Sequence, residues 1–177
     1  MTPSRLLLLL ALVTLPGLAK ADWTEFRGGT GIAISRDAGL PDHWDESTNL
    51  LWKFKLPGQG ASSPIVVGDR VYVTCFTGEP GRLVRQLVCV NRQDGSVAWT
   101  KDIHTDTREA SFNGMMTQHG YASNTPASDG KNVYVFLGTA GVYAFNLEGK
   151  ELWKVSVGQG TDQWGSASSV RLFGDLV

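Results

Sequence analysis

The sequence predicts an all-β fold made of small four-stranded units, and three observations carry that prediction. A segment pattern recurs along the chain. Short β-branched runs alternate with glycine-containing turns. Long amphipathic helical patterns are absent. The 177 residues include 21 Gly, a frequency that suits many strands joined by tight turns.

The recurrence is read from two parallel segments. Ser63-Pro64-Ile65-Val66-Val67-Gly68-Asp69-Arg70-Val71-Tyr72-Val73 is matched by Thr125-Pro126-Ala127-Ser128-Asp129-Gly130-Lys131-Asn132-Val133-Tyr134-Val135. In both, Gly falls four residues after Pro and Val-Tyr-Val begins seven after it. A third copy starts at Ser169-Val170 and keeps Gly174 and Val177 at the same offsets, without the proline. Each complete copy then continues alike. Leu87-Val88-Cys89-Val90-Asn91 leads through Asp94-Gly95 to Val97-Ala98-Trp99, and Val142-Tyr143-Ala144-Phe145-Asn146 leads through Glu148-Gly149 to Glu151-Leu152-Trp153. An unpaired copy of the last element, Leu50-Leu51-Trp52-Lys53-Phe54, precedes the first repeat, so Trp recurs at 52, 99 and 153.

Gly68 and Gly130 are 62 residues apart, Gly130 and Gly174 only 44. The excess is assigned to two insertions between strands, near 76–86 and near 103–120. The underlying unit is thus about 44 residues, the size of a four-stranded propeller blade. The strands expected are 63–67, 71–75, 87–90 and 97–100, then 133–137, 142–145 and 151–155. Gly-Asp, Asp-Gly and Glu-Gly pairs lie between them, where hairpins need residues that tolerate positive φ. One twisted sheet of this size cannot bury both faces alone, so blades stacked around an axis are the expected solution. The organisation read is a leader (1–21), an N-terminal arm (22–48) and an incomplete propeller (49–177) of about two full blades plus flanking strands, one of them at 50–55. Val177 aligns with the start of a second strand, so a truncated sequence is expected, or several short chains assembled into one ring.

The leader reading rests on Arg5, the apolar stretch 6–15 and the small-x-small signal-peptidase pattern at Ala19 and Ala21, which together describe a secretory signal. The stretch is short of the roughly 20 residues a spanning helix needs, so no transmembrane segment is expected in the mature chain. The expected location is the periplasm, the cell surface or the extracellular space. No cysteine lies near the cleavage point to take a lipid. Two of the 16 Lys and Arg (Arg5 and Lys20) fall in the leader, and against 17 Asp and Glu the remainder carries a formal charge of −3. No basic face stands out, which argues against nucleic acid as a partner. Cys75 and Cys89 are the two cysteines. Export permits a disulfide, but the expected register sets them diagonally on neighbouring strands, and two buried free thiols are the reading taken.

The quoted residues resemble the PQQ-like (BamB-like) repeat family in its secreted bacterial form. Its signature of Ala-x-Asp, a turn ending in Gly, then three residues and Trp is filled by Cys89-Val90-Asn91, Gly95 and Trp99, and again by Ala144-Phe145-Asn146, Gly149 and Trp153. The departures are Cys for Ala and Asn for Asp. Trp23-Thr24-Glu25-Phe26-Arg27-Gly28 and Leu40-Pro41-Asp42-His43-Trp44 add to the likeness. The resemblance implies a blade-docking role for Trp52, Trp99 and Trp153 against the turn glycines Gly95 and Gly149. It also implies a choice of functions. One is a non-catalytic propeller that binds protein, or another ligand, in cell-envelope assembly. The alternative is part of an alcohol or sugar dehydrogenase holding PQQ with Ca²⁺.

No acidic residue matches the ligand or base positions of the quinoprotein enzymes, and no adjacent cysteine pair is present. Asp102-Ile103-His104-Thr105-Asp106, with His119 following, offers oxygen and nitrogen donors in a spacing that matches no strong metal signature. Gly158-Gln159-Gly160 echoes Gly58-Gln59-Gly60 and reads as an inter-blade turn, since no helix follows to receive a phosphate. Asp162 and Trp164 are read as rim residues without chemistry. No nucleophile-elbow pattern supports a hydrolase. The 103–122 insertion carries Phe112, Met115, Met116 and Tyr121, side chains suited to protein contact at a propeller rim or to packing beneath the loop. On the first reading, deleting 105–117 spares folding and weakens partner capture.

Overall fold

The structure, a computed structural model, describes residues 22–105, 109–158, 160 and 164–177. The leader with Ala19 and Ala21, Asp106 of the candidate metal cluster, Gln159 and Asp162 lie outside the described residues.

Eight strands form two antiparallel four-stranded sheets. The first is β1 (Ile65–Val67), β2 (Arg70–Thr77), β3 (Val84–Asn91) and β4 (Val97–His104). The second is β5 (Ala127–Ser128), β6 (Asn132–Phe136), β7 (Val142–Asn146) and β8 (Glu151–Val155). Each is a meander in chain order. The helical content is one turn, α1 (Met116–His119), and a 3-10 turn at Gly138–Ala140. The register breaks at Cys89/Val90 in the first sheet and at Ala144/Phe145 in the second. These are equivalent places in the repeat, and a bulge there re-aims the following strand and its tryptophan.

The insertion expected between strands near 76–86 is in part ladder: residues 76–77 and 84–86 extend β2 and β3, and 78–83 connect them. β2 pairs with β3 from Arg70↔Asn91 to Thr77↔Val84, whereas β6 pairs with β7 only from Asn132↔Asn146 to Phe136↔Val142. The physical reason lies in the side chains: Cys75, Phe76, Arg85 and Gln86 are all buried, and backbone buried with them must find partners.

The two sheets stack face to face over one core. Ile65, Val67, Tyr72, Leu87, Cys89 and Ile103 of the first meet Val133, Val135, Leu137, Tyr143 and Phe145 of the second. The opposite face of the first sheet, with Cys75, Val88 and Val90, is covered by Trp52, Phe54 and Leu56. Along 51–56 those three residues are half-buried while Leu51, Lys53 and Lys55 are exposed, the period-2 alternation of an extended chain. Segment 50–55, expected as a strand, joins no ladder among the described residues: it packs on the face of the first sheet, not on its edge.

Cys75 and Cys89 are free and buried. The pairs Cys75↔Gln86 and Tyr72↔Cys89 set them three rungs apart on neighbouring strands, an odd number, so they point to opposite faces of the sheet. Cys75 belongs to the core under Trp52 and Cys89 to the inter-sheet core.

The N-terminal residues run along the first strands of both sheets. Trp23 and Val66 exchange two backbone hydrogen bonds of 2.8 Å, and Ser128 N–H donates to Thr24 O at 2.8 Å. Val66 and Ser128 are equivalent in the repeat, so one short stretch of chain satisfies the free edges of β1 and β5 together. Residues 32–51 are exposed throughout.

Candidate functional site: blade junctions and the loop-bearing rim

The junction between repeats is built twice with the same parts. The Trp52 indole packs on Gly95 and its Nε1 donates to Arg92 O at 2.8 Å. The Trp99 indole packs on Gly149 and its Nε1 donates to Leu147 O at 2.9 Å. Glycine is required at both turns. Their φ values are +71° and +83°, and an added Cβ would lie 2.6 Å from Trp52 Cδ2 and 2.8 Å from Trp99 Cδ2. Trp153 is 40% exposed, lies against Tyr134 and meets no glycine turn among the described residues.

A second link between repeats sits at the start of each first strand. Ser63 N–H donates to Thr125 Oγ1 at 3.0 Å, and Thr125 N–H donates to Ser169 Oγ at 2.9 Å. The two bonds span 62 and 44 residues, the two repeat spacings. The sequence carries a signal for this ladder in the recurring hydroxyl residues Ser63, Thr125 and Ser169. The third copy lacks the proline yet keeps a hydroxyl at the same position.

The rim bearing the β2–β3 and β4–β5 connections is dominated by residues 109–122. Arg85, on β3, points up into this segment. Its Nη2 lies 2.6 Å from Glu109 Oε1 and its Nε donates to Tyr121 O at 2.9 Å. Thr139, in the 3-10 turn between β6 and β7, also donates to Glu109. Both charged side chains are buried, so each depends on the other. Phe76, Leu83, Met116, Tyr121 and Ala122 form an apolar base beneath the loop, and Tyr121 OH donates to Ala110 O at 2.5 Å. Burial, with Glu109 adding to it, pushes the Tyr121 phenol above its ordinary value.

The loop therefore divides the four side chains singled out from the sequence. Met116 and Tyr121 are core at 1% and 3% exposure, while Phe112 and Met115 stand out at 41% and 40%. This corrects the expectation that 105–117 is dispensable for folding, because that stretch contains Glu109 and Met116.

The other candidates do not assemble. Asp102 accepts from Gln86 Nε2 at 2.8 Å. His119 lies in the loop, where its Nδ1 is 2.9 Å from Gly120 O and 3.2 Å from Ser123 Oγ. A carbonyl can only accept, so Nδ1 carries the proton and cannot serve as base toward Ser123. Among the described residues no group of three His, Cys, Asp or Glu could hold a metal ion. Along the N-terminal stretch, Asp22 accepts from Gly68 N–H at 2.8 Å and Glu25 Oε1 lies 3.8 Å from Arg171 Nη2. The two cysteines face opposite ways. Among the described residues this donor set does not supply the convergent oxygen ligands that a Ca²⁺-held quinone needs.

Two consecutive meander blades, sharing a core and tied by repeated tryptophan–glycine and hydroxyl contacts, define a β-propeller chain of the repeat type. The family described as outer membrane protein assembly factor BamB matches residues 42–177, and the chain belongs to this PQQ-like repeat family. A search of curated proteins returned no match. Among the described residues no helix is long and apolar enough to cross a membrane.

Proposed function

We propose that this protein is an exported, non-catalytic β-propeller that captures a protein partner through the rim loop 109–122, in the periplasm or at the cell surface. The observation that carries the reading is the construction of that loop. A buried ion pair and an aromatic base hold it in place; Phe112 rests on this base, its ring 5.6 Å from Tyr121 and 6.1 Å from Phe76, and it and Met115 keep about two-fifths of their surface exposed. Aromatic and Met side chains on a fixed platform give large contact area at small entropic cost. The family's description as an outer-membrane assembly factor supports a role in envelope assembly. The tryptophans at 52, 99 and 153 and the glycines at 95 and 149 serve as blade-docking residues that keep the rim in register.

The test is a Phe112→Ala/Met115→Ala variant of the complete protein. It should stay folded by far-UV circular dichroism, with the melting temperature lowered only by loss of the Phe112 ring contacts, and lose the partner that wild type retains on co-purification. Full retention of that partner counts against the reading. Complete protein supplied with PQQ, Ca²⁺, alcohols or sugars and an electron-accepting dye should give no turnover, and substrate-dependent dye reduction would overturn the non-catalytic assignment.

A further inference from the structure

We propose that the cleft between the N-terminal arm and the starts of the second and third repeats binds a neutral polyhydroxylated ligand of pyranose type. The cleft has a volume of about 510 Å³ and is lined by Glu25, Phe26, Ser123, Ser169 and Arg171, with small apolar residues between them. That volume falls in the range of small-molecule sites.

Glu25 is the informative group. It is 7% exposed, yet its carboxylate accepts no hydrogen bond among the described residues, and its ion-pair partner, Arg171 Nη2, stands 3.8 Å away. Its oxygens are not among the fully buried atoms that lack a partner, so they keep contact with the solvent of the cleft, where a ligand rich in hydroxyl donors can reach them. Glu25 and Arg171 are the charged residues of the lining and balance each other, which disfavours a strongly charged ligand, while Arg27 stands outside the lining, 5.7 Å from the centre of the Phe26 ring. Serine hydroxyls supply further polar partners. Ser169 Oγ accepts from Thr125 N–H and keeps its own proton to donate. Phe26, 48% exposed, offers an aromatic surface at the cleft wall, to which the C–H face of a sugar ring is suited. A carboxylate and a guanidinium for hydroxyls, beside an aromatic surface for the ring, make up the chemistry of sugar recognition.

The arm thus has a role beyond edge protection. Its bonds to Val66 and Ser128 fix the backbone on either side of Trp23 and Thr24, and so position the residue that follows them.

The experiment is saturation-transfer NMR on the complete protein with methyl α-D-glucopyranoside and methyl β-D-galactopyranoside as probes, and with methylammonium and acetate as charged controls. The expected result is transfer from protein to at least one sugar and weaker binding of both ions. Glu25→Gln should weaken the sugar about tenfold by exchanging a charged acceptor for a neutral one. Phe26→Ala, at a half-exposed position, should weaken it while leaving the melting temperature unchanged. Absence of transfer to both sugars overturns the proposal, as does tighter binding of either ion. Sugar affinity unchanged in both variants overturns it too, and shows Glu25 to be a structural ion-pair partner only. If Glu25→Gln fails to fold, Phe26→Ala decides the outcome alone.

Discussion

Replacing Gly149 by alanine tests the blade junction through two separable costs. The first is backbone conformation. At φ +83° an L side chain costs about 1–2 kcal/mol. The second is contact. The new Cβ would stand 2.8 Å from Trp99 Cδ2, 3.0 Å from Trp99 Cε2 and 2.9 Å from Lys101 Cε. The lysine can swing away. The indole cannot move freely, because Leu147 O holds its Nε1 and the rings of Tyr72 and Phe145 stand 5.7 and 6.5 Å from it. Overpacking of this kind costs about 1–3 kcal/mol. Gly130 separates the two terms. It has φ +86°, and a Cβ there meets nothing within 4 Å, so Gly130→Ala carries the backbone cost alone. Urea unfolding followed by far-UV circular dichroism should show Gly149→Ala less stable than Gly130→Ala by about 1–3 kcal/mol. In a Trp99→Ala background that difference should vanish, as a double-mutant cycle requires of a direct contact. Equal costs in the wild-type background, or a difference that survives removal of Trp99, would refute the junction described above.

Three further outcomes follow from the same structure. Thr125→Val removes the acceptor for Ser63 N–H and should cost about 1–3 kcal/mol, whereas Thr125→Ser keeps the acceptor and loses one buried methyl, about 1 kcal/mol; chemical denaturation giving the reverse order would remove the hydroxyl ladder from the account. Glu109→Ala leaves Arg85 buried without its carboxylate and should cost about 3–5 kcal/mol, and a loss below about 1 kcal/mol would show that the rim loop does not rest on this pair. Burial raises the thiol pKa of Cys75 and pushes that of Cys89 up to about 11, so iodoacetamide at pH 8 should leave both unmodified in the native protein and alkylate both in urea, as mass spectrometry would show. Because the folded value of Cys89 lies above the ordinary thiol value of 9.0, the stability gained by keeping it neutral is whole below pH 9.0 and is lost as pH rises through about 11; Cys89→Ala should flatten that part of the decline in urea midpoint.

The repeat made much of the fold legible. Proline, glycine and Val-Tyr-Val at fixed offsets located seven strands, and the recurring tryptophans marked the faces where blades meet. Strand length was not legible in the same way. Residues 76–77 and 84–86 were read as insertion because the repeat has no counterpart for them, yet their buried side chains carry the ladder onward. The two cysteines are the buried free thiols on neighbouring strands that the sequence led one to expect, but the faces they point to were not legible. An odd offset in register sends two side chains to opposite faces, and periodicity alone does not fix register to one residue. At the candidate sites, composition flagged Phe112, Met115, Met116 and Tyr121 as a group, but only tertiary packing sorts the two that are buried from the two that stay partly exposed. Arg85, Glu109 and Glu25 gave no local signal, since their meaning depends on partners 24 or more residues away. The hydroxyls of Ser63, Thr125 and Ser169 were visible as a repeated residue type, and their function became visible only when one repeat was set against the next.

The central claim, that the ordered rim loop presents a protein-binding surface, is tested most directly by photo-crosslinking in intact cells from a benzophenone side chain at position 112 or 115 of the complete protein. The matched control is the same probe at Leu152, which is 47% exposed on β8. The account predicts one discrete crosslinked product from positions 112 and 115, and none of that size from 152. No product from the rim positions, or the same product from all three, would contradict it.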